Sequence, residues 1–444
     1  VTAPPSAVTN HLPREGEGDV PQLGLGRHLA LSAYWFGQFF QIAPMLGILV
    51  PARVSELLPS GSAIAATGVL FAAGAVIAVA LPPLVGAWSD RIATPFGRRR
   101  PFLVLGVAIN VVGLLMLMTV ATYPLFLVAY LVMQVGLNAA GAAYSAIIPD
   151  VVPGTEFGRA SGFLSGMTQV GSVAGLVAVL IATAGHNRQA SFAVIAAANV
   201  ITLLPTLAAA AGEGSRQTLP RAVGRVPGEA GGRGPGATLV ERTRAFFKPL
   251  FEGDFGWVIW TRLFITSGIW LIYPFVLFFF RDVVGVAQPD AFTTTWQLLL
   301  TLTAIPLGVI GGWLSDRAGR KIFVYLAGAA QSAVVIWFVV LFPTQPGLVL
   351  VLGALYGVGY GLYLAVDWAL ACDTLPDSAS TAKDMGLFHV ALTLPQVAIP
   401  GIAGLVLAAL NAQSHNSGYR VVFSAAVAFY LAGTFFVSRV RSVR

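Results

Sequence analysis

The chain has 444 residues, of which 56% are hydrophobic and only 10% charged, and its mean hydropathy is +0.78. Soluble globular proteins carry about 25% charged residues, so a chain this apolar cannot cover a water-facing surface and the soluble classes are excluded. The single cysteine, Cys372, excludes a disulfide framework and any cysteine-built metal site. A net charge of +7 rests on 23 Arg and 3 Lys against 19 acidic residues. Basic residues gathered beside apolar segments face anionic lipid and set topology, which argues against a nucleic-acid partner.

Residues 1–27 are polar and carry no apolar run, so they read as a disordered cytoplasmic N-terminus and not as a signal peptide. Apolar runs of spanning length follow near 28–50, 62–88, 101–120, 124–148, 160–184 and 190–211, then near 255–280, 291–314, 322–342, 347–372, 385–410 and 418–438. About 20 apolar residues cross the hydrocarbon as a helix, whereas barrel strands would alternate and be half as long. The fold class is therefore an all-α polytopic membrane protein with twelve transmembrane helices in two six-helix bundles, 28–211 and 255–438. With both termini on the cytoplasmic side, 21 of the 26 basic residues fall in inner segments, and only Arg53, Arg188, Arg281 and Arg420 fall in outer loops. That asymmetry makes both termini cytoplasmic. The Arg, Ala and Gly richness points to a bacterial chain, hence to a bacterial cytoplasmic membrane.

Between the bundles, 212–254 is a cytoplasmic linker. Its first part is Gly, Pro and Arg with few large apolar residues, and reads as disordered. Over 238–251, Leu239, Thr243, Phe246, Phe247 and Leu250 share one helical face with Arg242, Arg244 and Lys248 around it. That pattern predicts a short helix lying on the inner leaflet. Residues 439–444 form a basic tail.

The two bundles repeat. Span two ends in Gly86, Asp90 and Arg91, followed by Gly97, Arg98, Arg99 and Arg100; span eight ends in Gly312, Asp316 and Arg317, followed by Gly319, Arg320 and Lys321. Asp90 and Asp316 stand 226 positions apart. Asp150 and Pro153 after span four match Asp373 and Pro376 after span ten at an offset of 223. Two signals at nearly one offset indicate duplication, a ground plan common in secondary transporters with a site between the repeats.

The doubled Gly-x-x-x-Asp-Arg loop followed by Gly-Arg-Arg/Lys resembles the signature of the major facilitator superfamily, over essentially all of 28–438. In the first copy four extra residues precede GRRRPF, and this lengthened form resembles plant sucrose:proton symporters and the glycoside–pentoside–hexuronide:cation symporters. The stretches GYGLYLAVDWALACDTLP and AKDMGLFHVALTLPQ are similar to bacterial members near that group. The resemblance implies a monomeric transporter of a small molecule. It also implies a cytoplasmic gate of Gly86, Asp90, Arg91, Gly97, Arg98, Gly312, Asp316, Arg317, Gly319 and Arg320. Asp90 would then face the start of span eleven and Asp316 the start of span five. The physical warrant is independent of the family: an ionised Asp at a helix end can pair with cations and cap a neighbouring helix. A chain turn that also keeps basic residues inside explains the Arg run equally well.

Ionisable residues within membrane helices are costly and mark function. Arg262 lies roughly 10 Å from the cytoplasmic start of span seven, and Asp367 roughly 8 Å from the same side of span ten, at the helical rise. Their matched depths predict a pair, with His389 the nearest third titratable group. Asp367 is then a proton-coupling carboxylate tuned by Arg262, or one side of a permanent structural pair. Uncharged polar and aromatic residues line several spans: Trp35, Gln38 and Gln41; Gln134, Asn138 and Tyr144; Gln169; Trp270 and Tyr273; Trp296 and Gln297; Tyr360, Tyr363 and Trp368; and Gln396. Amides beside flat aromatic faces suit a neutral polyhydroxylated cargo, although helix-to-helix hydrogen bonds use the same residues. The candidate cargo contacts are Gln38, Gln41, Asn138, Tyr144, Gln169, Trp270 and Tyr363.

The leading expectation is a proton-coupled importer of a sugar or glycoside, with protons, the cargo and the lipid bilayer as partners and no metal or cofactor. Spans one to six contain no Asp or Glu, which disfavours the sodium coupling of melibiose-type carriers. An efflux antiporter for a hydrophobic metabolite is the rival, but residues 160–184 lack the proline such carriers show in span five. Enzyme motifs such as His-Glu-x-x-His, the phosphate-binding loop and the Gly-x-Ser-x-Gly elbow are missing, so the chain is not read as an enzyme. A sensor that has lost transport is the third possibility.

Overall fold

Without water to satisfy backbone amides, each apolar run closes its own hydrogen bonds as a helix. The computed structural model describes residues 23–91, 94–152, 156–184, 187–211, 248–251, 253–375, 381–414 and 416–443. Among these, twelve helical segments are long and apolar enough to cross a membrane. In chain order they are α1 (Leu25–Pro44) continued by α2 (Val50–Leu57), α3 (Ser60–Arg91), α4 (Arg100–Thr119), α5 (Tyr123–Val151), α6 (Phe157–Ala184) and α7 (Arg188–Ala209). The second half holds α8 (Gly253–Ile272) continued by α9 (Val276–Phe279), α10 (Pro289–Ala318), α11 (Arg320–Leu341), α12 (Pro346–Asp373), α13 (Thr381–Gln413) and α14 (Ser417–Val437).

Two spans differ from the continuous helices expected. Pro44 closes α1 and a π turn, Met45–Leu49, leads into α2, so span one extends to Leu57 and Arg53 is helical, not part of a loop. Span seven breaks after Ile272 around Pro274, resumes as α9 and ends in a second π turn, Phe280–Val284. A proline removes one ladder hydrogen bond and crowds the preceding turn, which accounts for both breaks. The first span of each half therefore carries a proline followed by a π turn. The expected surface helix over 238–251 and the linker 212–237 fall largely outside the described residues; Lys248–Leu250 forms a single 3-10 turn.

The halves use the same pairings, which is the structural form of the repeat. α1 packs on α6 and α7 as α8 packs on α13 and α14; α4 packs on α5 as α11 packs on α12. Between the halves α3 packs on α13, and α6 on α10. Both repeated loops turn on a left-handed glycine, Gly97 at φ +100° and Gly319 at φ +93°, a conformation that other residues adopt only with strain.

One face of the bundle carries both described chain ends, and contacts between the halves gather toward the opposite, far face. A Cβ on Gly68 of α3 would stand 2.5 Å from the Pro400 carbonyl oxygen and 3.1 Å from Gly404 Cα, both on α13. The Tyr273 hydroxyl donates to the Ala43 carbonyl at 3.3 Å, and Arg281 Nη1 donates to Ser55 Oγ at 3.2 Å. At the rim Arg188 bonds both Glu56 of its own half and Asp290 of the other. Toward the terminal face the situation reverses: a Cβ on Gly86, Gly162 or Gly166 would meet nothing within 4 Å. The described contacts between the halves thus lie toward the far face, where α3 meets α13 and Arg188 bridges the two halves.

Candidate functional site

The second half holds a buried charge cluster between α8, α12 and α13. Arg262 and Asp367 are 6% and 9% exposed, and Arg262 Nη1 stands 3.2 Å from Asp367 Oδ2. Tyr363, one turn before Asp367 on α12, donates its hydroxyl to Oδ1 at 2.7 Å. The guanidinium carbon lies 3.8 Å from the Phe388 ring centroid, so the cation also rests on an aromatic face. Arg262 Nε has no hydrogen-bond partner among the described residues. The carboxylate is thus held by one cation and one hydroxyl, while the cation keeps unused donor capacity. A further hydrogen bond, from Thr266 Oγ1 to the Ala391 carbonyl at 2.9 Å, fixes α8 against α13 beside the cluster.

The sequence-predicted pairing of Arg262 with Asp367 is therefore a contact in the structure, and Tyr363 joins it. The side chain of His389, on α13, lies outside the described residues. So do the side chains of Asp90 and Arg91 in the last turn of α3 and of Asp316 in α10, so the expected latch across the halves falls outside the description. Arg320 takes a partner within its own half, with Nε 2.5 Å from Asp373 Oδ2. In the first half Arg99 Nε lies 3.3 Å from Asp150 Oδ2, and Arg99 also bonds Ser89. These two pairs tie the start of one helix to the end of the next in each repeat. Sequence reading used Asp150 and Asp373 only as repeat markers; their joint recurrence with an Arg-bearing loop was the signal for the pairing.

Besides Tyr363, three expected cargo contacts have other partners. The Gln41 side chain is fully buried in a neutral network: its Nε2 donates to Asn110 Oδ1 at 3.0 Å, and its Oε1 accepts from Asn110 Nδ2 and Asn199 Nδ2 at 2.9 Å each. An amide with its donors and acceptor so engaged holds α1, α4 and α7 together and faces no cavity. Tyr144 is likewise buried, and its hydroxyl donates to the Leu31 carbonyl at 2.9 Å. Asn138 donates to the Gln134 carbonyl within its own helix at 2.8 Å. Gln38 is different: it is 9% exposed, and its Oε1 has no partner. Gln169 and Trp270 are half-buried, with Trp270 meeting the Tyr273 ring edge-on.

One acidic residue of the first half matters although it lies outside the predicted spans. Glu156, immediately before α6, is 6% exposed and stands 2.8 Å from His28 Nε2 of α1 while accepting the Leu23 amide at 3.0 Å. The apolar-run boundary at residue 160 concealed it. Among the described residues no group of three or more His, Cys, Asp or Glu side chains is placed to hold a metal ion.

This arrangement of two pseudo-repeated six-helix halves is that of a multi-pass membrane protein with an internal duplication. The model for the Major Facilitator Superfamily matches residues 29–382 and 290–444, and the chain belongs to that superfamily. The fold is similar to that of the nucleoside transporter NupG, with a TM-score of 0.67 at 13% identity over 93% of this chain and 98% of that one. It is also similar to a bacterial homolog of the human lysosomal transporter Spinster in an inward-facing, unoccupied conformation, with a TM-score of 0.65 at 15% identity over 95% and 98% of the two chains. A Na(+), Li(+), K(+)/H(+) antiporter of Planococcus maritimus is 24% identical over 149 residues. That match spans 33% of this chain and 34% of the relative.

Proposed function

We propose that the protein imports a neutral polyhydroxylated solute, a sugar or glycoside, together with protons. It works by alternating access in a bacterial cytoplasmic membrane, as a monomer with both termini inside. The observation that carries the reading is the Asp367 carboxylate, buried between the Arg262 guanidinium and the Tyr363 hydroxyl. A proton arriving on Asp367 neutralises the carboxylate and leaves Arg262 without its counter-ion, while removal of the proton restores the pair. The two states favour different packings of α8 against α12, which ties protonation to the rocking of the halves. With the termini inside, the far face, where α3 meets α13 and Arg188 bridges the halves, is the outer one. The buried Gln38 amide, whose Oε1 has no partner, and the aromatic faces of Trp270 and Tyr273 supply contacts for hydroxyl-bearing cargo. The lengthened GRRRPF loop, resembling that of sucrose and glycoside symporters, supports the same class.

The test follows internal pH in dye-loaded proteoliposomes while sucrose, maltose, phenyl β-glucoside and uridine are added in turn. Acidification with one of them, absent from empty liposomes, is the expected result. Silence across the panel would overturn the import reading and favour efflux of a hydrophobic metabolite. The partial match to a cation:proton antiporter supports a second reading, in which the coupled species is an alkali cation. Alkalinisation or acidification on adding Na+ or K+ alone would establish it.

A further inference from the structure

Among the described residues two glutamines are buried with neither amide atom hydrogen-bonded, Gln331, which packs against Gly359 of its own half, and Gln297, which lies at the seam between the halves. Gln297 lies on α10 about two turns from the far face, is 1% exposed, and neither its Nε2 nor its Oε1 has a hydrogen-bond partner. One turn outward on the same helical face, Thr293 Oγ1 is also buried and without a partner. Leaving a buried amide unfilled is unfavourable, more so in a membrane interior, and at a seam that opens such a group can be met by a partner, which the unpartnered Trp296 Nε1 and Gln331, packed inside the second half, cannot. Across the seam is Gly47, inside the Met45–Leu49 π turn: a Cβ there would stand 1.9 Å from Gln297 Nε2. Only glycine lets the backbone of span one lie against this amide, and π turns of this kind concentrate at functional sites. Gln297 and Gly47 come from opposite halves, between the Tyr273–Ala43 contact on the inner side and the Arg188 ion cluster at the outer rim.

We propose that Gln297 is a cargo contact on the transport pathway, covered by the Gly47 turn while the outer side is closed and uncovered when it opens. This rests on the import reading for the class of cargo, a solute whose hydroxyls fill the amide, but not for the placement of Gln297 on the pathway. Trp296, its neighbour in sequence, faces its own half, against Gly353, Phe280 and Tyr356. It supplies a control on the same helix.

The experiment removes the native thiol (Cys372→Ser) and places single cysteines by Gln297→Cys and Trp296→Cys in protein reconstituted into vesicles. A membrane-impermeant maleimide is applied to the outer side, with and without sucrose, maltose or phenyl β-glucoside. Modification at position 297 but not 296, slowed by one of the sugars, is expected. A second variant, Gln297→Leu, keeps the packing and removes the amide. Loss of two hydrogen bonds to cargo raises the transport KM by about tenfold, with melting temperature unchanged or higher because an unfilled amide is gone. Modification at 297 that no sugar slows would uphold the placement and overturn the sugar class. No modification at 297, with normal transport by Gln297→Leu, would overturn the proposal.

Discussion

Replacing Asp367 by Asn removes one negative charge and little else. The Tyr363 hydroxyl still finds a carbonyl oxygen at the position of Oδ1, but Arg262, 6% exposed, is left as a buried cation with no counter-ion. Breaking one side of a buried pair costs about 3–5 kcal/mol, whereas replacing both sides with apolar residues of similar volume is often neutral or stabilising. The single variant is therefore expected to melt several degrees below the native protein, and the double variant Arg262→Met/Asp367→Leu to recover that loss. Transport separates the two roles. A coupling carboxylate predicts that both variants lose uphill accumulation under an imposed pH gradient, while the double variant keeps downhill exchange of cargo across the membrane. A purely structural pair predicts that the double variant, once stable, accumulates cargo like the native chain. That outcome, or unchanged accumulation by Asp367→Asn, would refute the coupling assignment.

Two further perturbations address the closed side and the neutral network. Gly68→Ala places a methyl group 2.5 Å from the Pro400 carbonyl oxygen, and overpacking of this kind costs about 1–3 kcal/mol. The ratio of outer-closed to outer-open protein should fall by roughly five- to 150-fold, read as faster outer labelling of Gln297→Cys and slower net uptake; unaltered labelling would show that α3 and α13 do not close the seam. Asn199→Leu removes one of two donors to Gln41 Oε1, so a loss of about 1–2 kcal/mol in thermal stability with unchanged KM is expected. A raised KM with unchanged stability would return Gln41 to the cargo site.

Much of the architecture is legible in the sequence because the membrane imposes it. A span must be helical and about 20 residues long, so composition alone locates the twelve. The Arg262–Asp367 contact was legible for a related reason: two opposite charges at matched depth in one half have few other partners. What sequence reading misses depends on helix rotation. Gln41 and Gln38 lie one turn apart on α1, yet one is enclosed by Asn110 and Asn199 and the other retains a free oxygen. Only the packing of α4 and α7 decides which faces inward. The π turns after Pro44 and Pro274 are invisible for a different cause: they add a residue to a turn without changing the apolar pattern. That extra residue is what brings Gly47 against Gln297.

The halves share a fold but not an interior, and this difference supports placing the proposed proton site in the second half. The centre of the first half is joined by neutral amides, Gln41, Asn110 and Asn199, whose hydrogen bonds do not change over any ordinary pH range. Its described ion pairs lie at the two ends, His28 with Glu156 and Arg99 with Asp150 at the end that carries the chain ends and Glu56 with Arg53 and Arg188 at the far rim. The centre of the second half is joined by a charge pair that exists only while Asp367 is ionised. On the proposed reading the neutral centre of the first half would keep its packing as the proton comes and goes, while the second half would repack around Asp367 and the seam at Gly68, Gly47 and Gln297 would respond to that change. Moving the charge pair into the first half, with amides placed at Arg262 and Asp367, would keep the seam and exchange the roles of the bodies. Duplication followed by loss of charge from one copy is sufficient to produce this division of labour.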